Sequence, residues 1–238
     1  DPLKKSKDEF EKLNTQYNES SGSFTSDNKK YYFTRCDEVV KIDNFEEFNC
    51  AVYVSYLKDG KWAKAVRLNE NINAPGQWNS QPGVSPEGNI LFFGSKRPGG
   101  LGSHDIWYST CNNDDQWGPP INLGDRINTL FVDVSPRYYA DQKVLFFSSN
   151  GHGGHGGLDI FMTKEDDGFQ TIINLGLPFN SNRDDFYFVL GEKKGYVTSN
   201  RQGGIGNDDV YIYNIKSKKN FIHQVEDSLG LDHGKDED

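Results

Sequence analysis

Cysteine, methionine, basic charge and long apolar runs are all scarce in this chain of 238 residues, and each shortage removes a class of function. Three cysteines, Cys36, Cys50 and Cys111, are too few for a disulfide framework and match no common zinc-site spacing. No cofactor or metal is expected. Lysine and arginine number 26 against 35 acidic residues, a net charge of −9, so the chain lacks the positive field that holds phosphate backbones. Nucleic acid is not an expected partner. No apolar stretch approaches the roughly 20 residues that span a bilayer, so the chain does not read as membrane-spanning. It starts at Asp1 without a signal-like segment. A Gly-x-Ser-x-Gly nucleophile elbow is also missing.

Glycine, with 25 residues, and aromatics, at 13%, are plentiful, which favours many strands joined by tight turns. Three segments share one frame: Ser95 to Asp105, Ser149 to Asp159 and Ser199 to Asp209, with Asp ten residues after Ser each time. Inside it Gly99, Gly100 and Gly102 are answered by Gly153, Gly154 and Gly156, then by Gly203, Gly204 and Gly206. Apolar runs flank each frame, as in Leu91-Phe92-Phe93 before and Ile106-Trp107-Tyr108 after the first. The pattern predicts paired strands around a glycine-rich turn.

A further element recurs as Trp62…Val66-Arg67-Leu68, Trp117…Ile121-Asn122-Leu123 and Phe169…Ile173-Asn174-Leu175. Its leucines are 55 and 52 residues apart, a period that suits one four-stranded blade. The expected fold is therefore all-β: a small propeller with blades at about residues 20–74, 75–129, 130–181 and 182–226, closing into a monomeric ring. Blade one lacks the glycine frame and carries an acidic insertion, Asp37 to Asn49. Leu3, Phe10, Leu13 and Tyr17 are spaced for one helix face, so residues 1–19 are expected to form a helical lead-in. The acidic stretch 227–238 is expected to be a mobile tail.

The run Val84-Ser85-Pro86-Glu87-Gly88-Asn89-Ile90-Leu91-Phe92-Phe93, with Arg97-Pro98-Gly99-Gly100 and Asp105-Ile106, resembles the TolB-type, WD-like propeller repeat family. The last blade, with Asn180-Ser181…Asp184-Asp185-Phe186 and Ser199-Asn200-Arg201…Asp208-Asp209-Val210, is similar to propellers of PorE-like, OmpA-associated envelope proteins of Bacteroidetes. This resemblance covers roughly residues 20–226. It implies a non-catalytic protein-interaction or scaffolding module, periplasmic or outer-membrane-associated. Its implied partners are envelope proteins, peptidoglycan-associated or outer-membrane components, with a link to type IX secretion. The competing class is a carbohydrate-binding or carbohydrate-cleaving propeller.

Asp105, Asp159 and Asp209 follow the glycine turns and are read as structural acceptors for turn N–H groups or for ion pairs with Arg97 or Arg201. Recurrence in three blades suits a folding device better than a catalyst. His152 and His155 invite a metal reading, but without a third ligand they are taken as a polar exposed loop. Asp133, Asp184 and Asp185 stand roughly where a propeller glycosidase would place acids. The binding candidates, at the channel mouth, are Trp78, Asn79, Gln81, Phe131, Asp133, Arg183, Asp184 and Asp185; the alternative for Trp78 and Phe131 is that they wedge neighbouring blades. Cys36 and Cys50 flank the insertion at neighbouring strand ends, where antiparallel pairing could place their Cα atoms about 4.4–6.8 Å apart. The alternative is two free thiols on an acidic loop.

Overall fold

The computed structural model describes residues 13–42, 45–112 and 116–227, with side chains described outside 38–48. Among the described residues sixteen strands form four antiparallel sheets, the blades of a propeller. Blade one holds β1 (Asn18–Phe24), β2 (Lys30–Ile42), β3 (Phe45–Lys58), β4 (Lys61–Trp62) and β5 (Val66–Arg67). Blade two holds β6 (Asn79–Val84), β7 (Ile90–Ser95), β8 (Asp105–Thr110) and β9 (Ile121–Asn122). In blade three, β10 (Asp133–Tyr139), β11 (Val144–Ser149), β12 (Asp159–Lys164) and β13 (Ile173–Asn174) repeat that order. Blade four has only three strands, β14 (Asp185–Leu190), β15 (Lys194–Ser199) and β16 (Asp209–Asn214).

Pairing register fixes which residues are equivalent. Asn79 opposes Ser95, which opposes Asp105, just as Asp133, Ser149 and Asp159 line up in blade three and Asp185, Ser199 and Asp209 in blade four. Every innermost strand slips register once, between Ser20 and Gly22, Ser80 and Gly83, Val134 and Arg137, and Phe186 and Val189. Such bulges re-aim a side chain. Here Gln81, Ser135 and Tyr187 take φ of 60°, 56° and 52°. Beside them the inner strands line a cavity of only about 30 Å³, the volume of about one water.

Two expectations are corrected. Residues 13–17 run through turns into β1, so no helix precedes the first blade there, and residues 1–12 lie outside the described set. The helix sits at the other end: α1 (Lys218–Asp227) replaces a fourth strand in blade four. Ser217 starts it, its Oγ accepting from the Asn220 N–H at 3.2 Å in the manner of an N-cap. The remainder of the acidic tail, 228–238, lies outside the described residues. The acidic insertion is a continuation of the β2–β3 hairpin, paired from Glu38 with Asn49 to Ile42 with Phe45. A disulfide joins Cys36 and Cys50 at the register shift in that hairpin.

Apolar clusters fill the seams between blades. Tyr32, Val52 and Val54 meet Val84, Leu91, Phe93 and Trp117 between blades one and two. Phe92, Tyr138 and Leu145 join blades two and three, and Phe146, Met162, Phe188 and Val197 join three and four. Among the described residues no such cluster spans blades four and one. Val210 and Ile212 are 63% and 57% exposed, whereas their equivalents Ile160 and Met162 are 0% exposed. The ring therefore meets at the axis, where Ser21 Oγ donates to the Tyr187 hydroxyl at 2.8 Å, but its last apolar face is bare. The expected closure of all sheet edges does not hold at β16.

Candidate functional site

The loops entering the inner strands lie on one face, together with the glycine-rich turns. The first two turns are stapled to the following blade: the Ser103 N–H donates to the Phe131 carbonyl at 2.9 Å and the Gly157 N–H to the Arg183 carbonyl at 3.1 Å. Approach is close enough that a Cβ on Gly102 would lie 2.3 Å from Thr129 O, and one on Gly156 2.0 Å from Arg183 O. Within every frame a second glycine is needed as well: a Cβ on Gly100, Gly154 or Gly204 would fall within 2.3 Å of a carboxylate oxygen of Asp105, Asp159 or Asp209.

The frame aspartates cap these turns. Asp105 accepts from the Leu101 and Gly102 N–H groups, Asp159 from His155 and Gly156, and Asp209 from Ile205 and Gly206. Neither arginine pairs with its frame aspartate. Arg201 Nη2 instead meets Asp185 Oδ1 at 2.5 Å and also bonds the Phe179 carbonyl. Arg97 Nη2 meets Asn79 Oδ1 at 3.1 Å and the Ile72 carbonyl at 2.5 Å, with its guanidinium carbon 4.9 Å from the Phe93 ring centre. Burial pulls its pKa down to about 10.

Blade three has Gly151 where the other two carry arginine. His152 takes over part of the role: its Nε2 lies 2.8 Å from the Ile127 carbonyl, and its ring packs on Phe147 and Phe161 at 5.6 and 5.3 Å. It is thus half-buried between aromatic rings rather than exposed, and only His155 is an exposed loop residue. Asp133, fully buried, accepts from Thr129 N and Oγ1 at 2.6 and 2.9 Å, but its Oδ1 has no hydrogen-bond partner. Burial pushes its carboxyl up. Among the described residues no group of three His, Cys, Asp or Glu could hold a metal ion.

Asn79, Asp133 and Asp185 are therefore buried within the blades, where they cap the loops before β6, β10 and β14. Gln81 sits at the axis, its Oε1 accepting from the Ser135 N–H at 2.8 Å. Asp184 is occupied by Leu158 N and Asn200 Nδ2 at 2.9 and 2.8 Å, and the Arg183 side chain is exposed. Among the described residues the cavity that the inner strands line at the axis is far smaller than a ligand pocket, at about 30 Å³.

What the face offers instead is apolar. Phe131 and Leu130 are 58% and 75% exposed, and Leu101 of the stapled turn beside them is 44% exposed. Half-buried Trp78 stacks edge-on against His104 at 4.8 Å. Burial, with Lys96 nearby, pulls the His104 pKa down to about 4. Phe131 thus does not wedge the blades, and Trp78 packs against its own blade, within 3.3 Å of the Cβ position at Gly94. Leu101, Leu130 and His104 were missed in the sequence, although Leu101 falls at the variable position between two frame glycines that His155 and Ile205 occupy in the later blades.

No protein-family model and no curated protein matches the chain. Solved propellers do. TolB from Acinetobacter baumannii superposes with a TM-score of 0.52 at 19% identity, over 86% of this chain and 43% of TolB. The α-L-arabinofuranosidase from Lactobacillus brevis gives 0.55 at 15% identity, over 81% of this chain and 70% of the enzyme. The chain thus spans less than half the length of that TolB. These likenesses establish the propeller fold, shared by an enzyme and by TolB, and at such identity they carry fold alone. Among the described residues no helix is long and apolar enough to cross a membrane.

Proposed function

We propose that the chain is a non-catalytic protein-interaction or scaffolding module of the bacterial cell envelope, periplasmic or outer-membrane-associated. The exposed rim of Leu101, Leu130 and Phe131 carries this reading, because contiguous apolar side chains held on stapled loops are a common form of protein contact surface. Two further features support it. Asp133 and Asp185 are buried as loop caps, which leaves them poorly placed to meet a glycoside, and the net charge of −9 disfavours nucleic acid. The motif resemblance in blade four is the basis for assigning PorE-like company, a peptidoglycan-associated or outer-membrane partner and a link to type IX secretion.

Cross-linking in envelope extracts tests the proposal. Wild type is expected to give a discrete adduct that Leu130→Asp with Phe131→Asp abolishes while the melting temperature holds. Turnover of a glycan, abolished by Asp133→Asn or Asp185→Asn, would overturn it in favour of a carbohydrate-cleaving propeller.

A further inference from the structure

Register makes the seam between blades two and three comparable with the one between three and four, and the two differ in one respect. In the latter, α1 delivers Phe221, Ile222 and Val225 into the cluster that contains Phe146, Met162 and Ile173. Phe221 lies 6.5 Å from the Phe146 ring and 5.6 Å from Phe188, and Met162 and Ile173 are 0% and 1% exposed. The equivalent wall one seam earlier is Phe92, Tyr108 and Ile121. There the chain supplies a turn bearing Phe169 in place of a helix, and Ile121 remains 53% exposed. A groove of about 310 Å³ is left, lined by these residues with Tyr138 and Glu165. Between blades one and two Trp117 fills the corresponding place, at 2% exposure.

We propose that this groove seats an amphipathic helix of a partner protein, with an aromatic anchor on its apolar face and a basic residue at its end. The inference rests on the interaction-module reading and names a second contact surface for it. The helical form follows from α1, which occupies the equivalent wall one seam away. The basic residue follows from charge: Glu165 accepts the Tyr138 hydroxyl at the groove edge, and that hydroxyl's pKa is pushed up first by burial and then by Glu165, with smaller contributions from Asp166 and Glu87. Lys143 pairs with Asp166 at 2.8 Å, which leaves Glu87 and Glu165 to face an incoming cation. The chain's own helix uses the same chemistry, with Lys218 3.2 Å from Asp141 and 5.3 Å from the Tyr139 ring centre.

The probe is a labelled peptide of sequence 217–227, stapled on its exposed side because so short a helix is marginal in water. Fluorescence anisotropy with the intact chain should show saturable binding, weakened at least tenfold by Ile121→Glu or by reversing the peptide's two lysines. Ile212→Glu, on the bare face of blade four, should leave it unchanged. No saturation at millimolar protein, indifference to Ile121→Glu, loss with Ile212→Glu, or displacement by an arabino-oligosaccharide would each overturn the proposal. If the peptide fails while the Leu130 and Phe131 variants still lose their adduct, the groove assignment falls and the interaction-module reading stands.

Discussion

The same substitution at two register-equivalent positions should change stability in opposite directions. Asp133 and Asp185 begin the inner strands of blades three and four, and both are fully buried. Asp185 faces the Arg201 guanidinium at 2.5 Å. Asp185→Asn keeps an acceptor but leaves a partly buried cation without its counter-charge, at a cost of about 2 kcal/mol. Asp133 has glycine at the arginine position and an unpartnered Oδ1, so Asp133→Asn removes a buried charge that no arginine pairs with. It should be neutral or stabilising by up to about 1 kcal/mol. The effect also carries a pH signature. The Asp133 carboxyl is raised in the fold above its ordinary 3.8, so the unfolded chain ionises first. Wild-type stability therefore loses a contribution as pH climbs from 3.8 through the raised value, and Asp133→Asn should remove that loss. Urea titrations at pH 7 and below 4 read this as shifts in midpoint at constant slope. Equal destabilisation by both variants at pH 7 would refute the pairing argument.

Acid should weaken the Trp78–His104 contact. A histidine whose folded pKa is about 4 against an ordinary 6.5 contributes stability fully above 6.5 and loses it as pH falls towards 4. Discounted for partial exposure this is about 1–2 kcal/mol, and His104→Gln should flatten that part of a melting-versus-pH curve. Gly156→Ala should cost about 3 kcal/mol in urea titrations, because its Cβ would stand 2.0 Å from the Arg183 carbonyl. Reduction of Cys36–Cys50, which spans 14 residues, should cost about 3 kcal/mol. Alkylation under non-reducing conditions should label Cys111 alone.

The blades were legible because each glycine frame satisfies a steric requirement that only one residue type meets, and ten-residue spacing made the repetition visible. Helix α1 was not legible. Phe221, Ile222 and Val225 follow the strand-like run Val210 to Ile215, and nothing local marks the change except Ser217. The true arginine partners were hidden because they begin an inner strand 16 and 18 residues earlier, a distance set by pairing and not by the motif. His152 escaped notice as an arginine substitute because it stands one position after Gly151. At the axis, Gln81, Ser135 and Tyr187 hold left-handed φ with ordinary side chains, so no glycine announced the bulges.

The bare face of blade four bears on how the molecule comes apart. Blades two and three are sandwiched on both sides, whereas β16 presents alternate side chains to water and, among the described residues, pairs with no outer strand. Local opening free energies follow buried contact, so amide hydrogens of β16 should exchange through sub-global openings well before those of β11, every residue of which is buried. The propeller would then be a graded object whose last blade melts at the lowest free energy, and any partner that covers Val210 and Ile212 would slow exchange there first.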